Sequence, residues 1–154
     1  MGKLVWHDWA RLLALAAGSY VAWAAVWACA YRKFFWDFVG GTLGPTGLIP
    51  PPAAEFFVKV IVDAPILPVI NLLNGLFTLA FEWPLPFFIG SKTHNSLVFR
   101  VVLYSWCFLA AVPVYQTAFP SLFYLITTLA YLRSLGLGES LKESGKPAEQ
   151  PGRV

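Results

Sequence analysis

Four long apolar segments constrain the fold of this chain more than any other feature. Hydrophobic residues make up 58% of the 154-residue sequence and charged residues 12%, which leaves too little polar surface for a soluble domain of this size. A helix of about twenty apolar residues crosses a bilayer. We therefore predict an all-α integral membrane protein with four transmembrane helices, at about residues 9–31, 66–82, 97–118 and 119–135.

The region between the first two predicted spans, residues 33–65, has a different character. Gly-Gly, Gly-Pro and Pro-Pro-Pro steps break any regular helix there, and irregular backbone is not tolerated against lipid. Glu55, Lys59 and Asp63 then follow at steps of four, which places all three charges on one helical face. We predict a short amphipathic helix in the membrane interface with these charges in water. The alternative is an ion network that faces a partner within the membrane.

The composition changes abruptly at residue 136, where glycine, serine, glutamate and lysine replace the apolar residues. We predict a membrane domain at residues 1–135 and a disordered cytosolic tail at residues 136–154. With four spans, one side of the membrane carries Lys3, Arg11, Lys92, Arg100, Arg133, Lys142, Lys146 and Arg153. The other side carries Arg32, Lys33 and Lys59. This imbalance favours cytosolic termini, because cytoplasmic loops are enriched in lysine and arginine.

Two patterns within the spans predict contacts between helices. Ala10, Ala14, Gly18 and Ala22 recur every four residues, and small residues at this spacing let another helix approach closely in lipid. In the second span, residues 71 and 74 are asparagines on one side of the helix. Amides inside a span usually face other helices, because lipid offers them no partner. We therefore assign Asn71 and Asn74 to polar packing within the membrane.

The chain has no pattern of residues that predicts catalysis or a bound cofactor. His7 and His94 are its two histidines, and both lie at predicted membrane edges, which does not suit a bis-histidine haem site. His7 and Asp8 point in different directions on a helix, so they do not form an oriented acid–base pair. Cys29 and Cys107 lie in apolar segments and are expected to be small buried side chains. We predict a protein that is not an enzyme and binds no metal, cofactor or nucleic acid.

Four sequence patterns together carry a family resemblance. They are Met1-Gly2, Trp6, Trp9-Ala10, Ala14-Leu15-Ala16 and Gly18 at the N-terminus; Glu82-Trp83-Pro84 at the end of the second span; Val98 to Leu103, with Arg100, at the start of the third; and Ala130-Tyr131-Leu132 in the fourth. In these patterns the chain resembles the small, non-catalytic subunit of the phagocyte NADPH oxidase flavocytochrome. It also resembles small four-span proteins of filamentous fungi that are regarded as partners of NADPH oxidase.

The resemblance implies a membrane subunit that binds and stabilises an NADPH oxidase catalytic subunit and supports superoxide production. Haem and flavin would belong to that partner. It implies a location in the endoplasmic reticulum membrane, with onward passage to the plasma membrane. As residues that contact or position the partner we expect Trp6, Trp9, Ala10, Ala14, Gly18, Ala22 and Arg100.

The chain departs from that family in its C-terminal tail. The family has a long proline-rich tail that binds an SH3-containing organiser, whereas Pro147 and Pro151 are four apart here and form no PxxP ligand. We therefore expect no SH3 partner. Two other functions remain open: a small scaffold or assembly factor of the endoplasmic reticulum with another membrane client, and a small transporter.

Overall fold

The structure, a computed structural model, confirms a mainly helical chain; it describes residues 4–36, 40–45, 47–83, 85, 88, 91–139 and 141. The helices are α1 (Trp6–Tyr31), α2 (Glu55–Val58), α3 (Ile66–Glu82), α4 (Leu97–Ala111) and α5 (Tyr115–Gly136). An antiparallel hairpin of β1 (Thr42–Gly44) and β2 (Gly47–Ile49) lies between α1 and α2. Residue 140 and residues 142–154 of the predicted tail lie outside the described residues, as do Met1 and Gly2 of the N-terminal pattern.

The core of the bundle forms where α1 packs against α3 and α5, and α5 packs against α4. The small residues of α1 allow this packing: Ala10, Ala14 and the residues that follow at the same spacing are buried. The backbones of α1 and α3 approach closely at Gly18 and Gly75. A Cβ atom added to Gly75 would lie 2.8 Å from the backbone oxygen of Gly18 and 2.8 Å from the backbone nitrogen of Ala22. The two backbones are therefore in direct contact.

The break between the last two helices is earlier than predicted. The sequence interpretation placed it between residues 118 and 119, whereas α4 ends at Ala111 and α5 begins at Tyr115. Pro113 lies in the connecting turn. It ends the helix because it has no backbone N–H group and because it disfavours the helical conformation of the residue before it. Pro120 lies in the second turn of α5. The third and fourth predicted spans are corrected accordingly.

The connecting turn also closes one end of the bundle. Phe34, which follows α1, forms an isolated antiparallel bridge with Val114, and the N–H group of Tyr115 donates to the carbonyl oxygen of Lys33 over 3.0 Å. Phe34 and Val114 are both buried and pack with Ile61 in a small second core. The segment after α1 is thereby held against the α4–α5 turn, and the other end of the bundle contains the N-terminus of α1.

One helix in the described part of the chain, α1, is long and apolar enough to span a bilayer by itself. The helical segment Pro52–Asp63, which includes α2 and a following π-helical turn, meets the same test only as a pair with α3, across a bend of 67°. Such a bent pair has the geometry of a broken span or a re-entrant loop. Helix α4 is apolar but has 15 residues.

Candidate functional site

A cluster of buried polar side chains joins α3, α4 and α5 at the end of the bundle that contains the N-terminus of α1. Glu82, the last residue of α3, is 1% exposed, and Arg100, in the first turn of α4, is 2% exposed. The Oε1 atom of Glu82 accepts hydrogen bonds from Nη1 of Arg100 and from the hydroxyl groups of Tyr104 and Tyr131. Buried charges are tolerated when they are paired and hydrogen-bonded in this way.

Aromatic rings form the walls of this cluster. The guanidinium carbon of Arg100 lies 4.9 Å from the ring centroid of Phe81 and 5.5 Å from that of Tyr131, within the range of cation–π attraction. The ring of Tyr104 stacks on Tyr131 with 5.7 Å between centroids and on Tyr124 with 5.8 Å. The rings separate the ion pair from the apolar surface of the bundle and fix the position of both charges.

Two further contacts connect the cluster to neighbouring elements. Nη2 of Arg100 donates to the carbonyl oxygen of His94 over 3.0 Å, and Nε of Arg11 on α1 donates to the carbonyl oxygen of Glu82 over 3.0 Å. Burial, and then the positive charge of Arg100, lowers the pKa of His94. The neutral form of the His94 ring is therefore favoured. All four long helices and the loop before α4 thus meet at this cluster.

The carboxylate of Glu139, three residues beyond the end of α5, caps the N-terminus of α1. It accepts hydrogen bonds from the backbone N–H groups of Trp6 (3.1 Å) and His7 (3.0 Å) and from the hydroxyl of Ser134 (2.9 Å), and it lies 2.9 Å from Nδ1 of His7. The first N–H groups of a helix have no partner within the helix, so this contact satisfies them. Burial alone would raise the pKa of Glu139, but these donors outweigh it and lower the pKa to about 2.

A polar cavity of about 170 Å³ lies between the cluster and the N-terminus of α1. It is lined by His7, Asp8, Arg11, Glu82, His94, Asn95, Arg100, Tyr131 and Leu141. Four of its buried polar atoms have no hydrogen-bond partner among the described residues: Oε2 of Glu82, Nε of Arg100, Nε2 of His7 and Nδ1 of His94. The described residues include no group of three or more His, Cys, Asp or Glu side chains placed to hold a metal ion.

The structure places most of the expected partner-contact residues inside the chain. Ala10, Ala14, Gly18 and Ala22 are buried, and they pack within the bundle rather than on its surface. Arg100 is also buried, in the polar cluster. A direct partner contact at these positions would require the helices to separate, so we reassign them to internal packing.

Two of the expected partner-contact residues remain at the surface. Trp9 is 40% exposed, and Trp6 is half-buried and makes an edge-to-face contact with it, with 5.8 Å between ring centroids. Of the residues expected to contact a partner, Trp6 and Trp9 are therefore the two that a partner could reach on the folded chain.

The two asparagines of α3 differ in their contacts. Asn71 is fully buried, and its Nδ2 atom donates to the carbonyl oxygen of Ala110 on α4 over 3.1 Å and to Oγ1 of Thr117 on α5 over 3.3 Å. This is the polar helix packing that the sequence predicts. Asn74 is half-buried, and its Nδ2 atom has no partner within the described residues.

The charged face predicted for the region before α3 is exposed. Glu55 and Lys59 form an ion pair of 2.7 Å at the surface, with more than half of each side chain accessible. Asp63 is exposed as well, and its carbonyl oxygen accepts a long hydrogen bond of 3.4 Å from Arg32. Charges that face water and charges that face a partner are both exposed on the isolated chain, so the two interpretations of this face stay open.

Sequence reasoning did not predict the polar cluster as a unit. Glu82 and Arg100 belong to separate sequence patterns, although opposite charges in neighbouring apolar segments are a signal for pairing. Tyr104 and Tyr131 carried no such signal, because their inward direction depends on how each helix is rotated in the bundle. Glu139 was assigned to the tail, and its contact with α1 spans 132 residues of sequence, which no local pattern reveals.

The comparison with known proteins identifies the family. No curated protein matches the chain, and no solved structure does. The model of a family described as a domain of unknown function, DUF7727, matches residues 1–139, a range that ends at the residue capping α1 and includes all five helices. The chain therefore belongs to the DUF7727 family.

Proposed function

We propose that the chain is a non-catalytic membrane subunit that binds and stabilises the catalytic subunit of an NADPH oxidase and so supports superoxide production. One observation carries the proposal. Glu82, Arg100 and Tyr131 come from three separate patterns of the family resemblance, and they meet in a single hydrogen-bonded cluster. Their meeting at one place in the fold supports one shared architecture for the three patterns.

The apolar surface of the bundle supports a membrane location. Large apolar side chains that are more than half exposed occur on every long helix: Leu12, Trp23, Leu73, Val102, Trp106, Leu109, Phe119 and Leu129. Soluble monomers rarely expose large contiguous apolar patches. We propose that α1, α3, α4 and α5 each cross the bilayer, with both termini in the cytosol. Because α4 is only about 22 Å long, it requires a locally thin bilayer or protein that covers its ends.

The chemistry of the polar cluster supports a structural role rather than a catalytic one. The charge of Glu82 is neutralised by Arg100, and the Oε1 atom of Glu82 already accepts hydrogen bonds from two tyrosine hydroxyls. Such an arrangement stabilises one packing of the helices and provides no free nucleophile. The proposed partner then meets the outer surface of the bundle, where Trp9 and the row of Trp23, Trp27 and Tyr31 on α1 are exposed.

Deletion of the chain in the cells that produce it tests this function. We expect superoxide output and the amount of the catalytic subunit to fall together, and the wild-type chain to restore both. Arg100→Gln should fail to restore them because it breaks the cluster, whereas Lys92→Gln, at an exposed position in the loop before α4, should succeed. Unchanged superoxide output after deletion would contradict the proposal and favour a scaffold for another client.

A further inference from the structure

The polar cavity beside Glu82 has features that the proposed oxidase partnership does not use. Several of the residues that line the cavity are charged, and four of its buried polar atoms lack partners within the described residues. We propose that this cavity binds the phosphoethanolamine headgroup of a membrane lipid, with the ammonium group inside and the phosphate at the mouth. The inference rests on the proposed membrane location, and it is independent of the identity of the protein partner.

The inner part of the cavity presents two buried atoms with no partner among the described residues, the acceptor Oε2 of Glu82 and the donor Nε of Arg100. Glu82 is 1% exposed. His7 is 5% exposed, with its Nδ1 atom against the carboxylate of Glu139 and its Nε2 atom 3.6 Å from Oδ1 of Asp8. The carboxylates of Asp8 and Glu82 both line the cavity, and ionised carboxylates only accept hydrogen bonds, so they call for a ligand with several N–H donors. A primary ammonium group has three such donors.

The mouth of the cavity presents a free cationic donor. Arg11 is exposed and uses its Nε atom to bind the carbonyl oxygen of Glu82. Its two Nη atoms have no hydrogen-bond partner among the described residues. A guanidinium group with free Nη atoms binds phosphate through paired, charge-assisted hydrogen bonds. Arg11 therefore suits the phosphate of the same headgroup.

The balance of charge in the cavity favours a zwitterion over a simple ion. Arg11 and Arg100 supply positive charge, whereas Asp8 and Glu82 supply negative charge. An anion alone would leave Oε2 of Glu82 without a donor, and a cation alone would leave the Nη atoms of Arg11 unpaired. The volume of about 170 Å³ is below that of pockets for drug-sized ligands, which begin near 300 Å³, and it suits a small headgroup. Leu12, next to Arg11, is 65% exposed and offers apolar surface to the acyl chains.

Native mass spectrometry of the purified, delipidated chain tests the proposal. Ethanolamine, choline and glycerol phospholipids with identical acyl chains are added in turn. We expect the ethanolamine lipid to be retained about tenfold more than the choline lipid, because a trimethylated ammonium group has no N–H donor for Glu82. Equal retention of the ethanolamine and choline lipids would overturn the proposal.

Free phosphoethanolamine distinguishes the headgroup from the whole lipid as the ligand. If it displaces the bound ethanolamine lipid, the headgroup alone is recognised. If it does not, the acyl chains contribute to a site that still selects the headgroup. Either result agrees with the proposal only when the ethanolamine lipid is selected over the choline lipid in the first experiment.

A matched pair of variants tests the role of Arg11. Arg11→Gln should lower retention of the ethanolamine lipid about tenfold by removing one charge-assisted phosphate contact. Arg133→Gln removes an exposed arginine near the end of α5, outside the cavity, and should leave retention unchanged. Full retention in Arg11→Gln would count against the proposal. Since the experiment uses the isolated chain, its failure would be distinguishable from failure to bind an oxidase.

Discussion

Glu82 and Arg100 are charged residues that the bundle buries almost completely. Their pairing explains how an apolar chain tolerates them, because each charge alone would be costly away from water. The sequence identified Arg100 through the family resemblance and Glu82 as an acid at the end of a span. It did not reveal that Tyr104 and Tyr131 complete the cluster, since that depends on the rotation of α4 and α5 about their axes.

Removal of one partner of this ion pair should destabilise the bundle strongly. Arg100→Gln leaves the carboxylate of Glu82 buried without a counter-charge, and we expect the free energy of unfolding in detergent to fall by about 3–5 kcal/mol. A second change, Glu82→Gln, should recover part of this loss because it removes the unpaired charge. Lys92→Gln provides the control, since Lys92 is exposed. An additive loss in the double variant would argue against direct coupling of the pair.

Glu139 should make the N-terminus of α1 sensitive to acid. Its pKa falls from 4.5 to about 2 on folding, so its capping contribution is complete above pH 4.5 and is lost as the pH falls towards about 2. Hydrogen exchange at the amides of Trp6 and His7 reports on the cap, and we expect their protection to decline across that range. Protection that stays constant down to pH 2 would show that the carboxylate is not the cap.

Substitution of Glu139 gives a second check that does not depend on pH. Glu139→Ala should lower the free energy of unfolding by about 0.5–2 kcal/mol, the usual effect of losing an N-terminal cap. Glu55→Ala is the control: it removes an exposed glutamate from the opposite end of the bundle, and its surface ion pair contributes little. Equal effects of the two substitutions would contradict the capping role.

At the scale of elements, the contact between α1 and α3 depends on glycine at position 75. A Cβ atom there would lie within 3 Å of the backbone of Gly18 and Ala22, so the helices must move apart. We expect Gly75→Ala to lower the free energy of unfolding by about 1–3 kcal/mol through overpacking. Gly136→Ala, at the end of α5 with no atom within 4 Å, should be nearly neutral. Thermal unfolding of both variants in detergent measures the difference.

The elements themselves were predictable to different degrees. Apolar length indicated α1 and α3 well, and α3 begins and ends where the second span was predicted. The boundary between α4 and α5 was wrong because the chain offers two prolines, and sequence alone does not show which one ends a helix. Pro113 lies in the turn, whereas Pro120 lies within α5. The β1–β2 hairpin was missed as well, since its Gly-Pro and Gly steps indicated only irregular structure.

At the scale of the whole molecule, the apolar surface is the feature that connects fold and proposed function. The buried small-residue face and the buried polar cluster hold the helices together, and the exposed aromatic and aliphatic side chains remain for lipid and protein contacts. The small-residue stripe thus acts inside the chain, which moves the proposed partner surface to the outer faces of the helices. Sequence spacing indicated a packing face but not which helix would cover it.

The proposed topology has a direct test. With four crossings, both termini should be accessible from the cytosol, while the β1–β2 hairpin should face the opposite side of the membrane. We expect epitope tags at either terminus to be cleaved by protease added to sealed membranes with the cytosolic face outward, and a tag in the hairpin to be protected. Cleavage of the hairpin tag under these conditions would contradict the four-span arrangement.

The most direct test of the central proposal is co-purification with a haem-bearing oxidase. The tagged chain is extracted from its native membranes in mild detergent, and the eluate is examined for a haem absorption spectrum and for flavin. We predict that an NADPH oxidase catalytic subunit elutes with the wild-type chain and with Lys92→Gln, and that its yield falls sharply with Arg100→Gln. An eluate without haem from membranes that contain the oxidase would contradict the account.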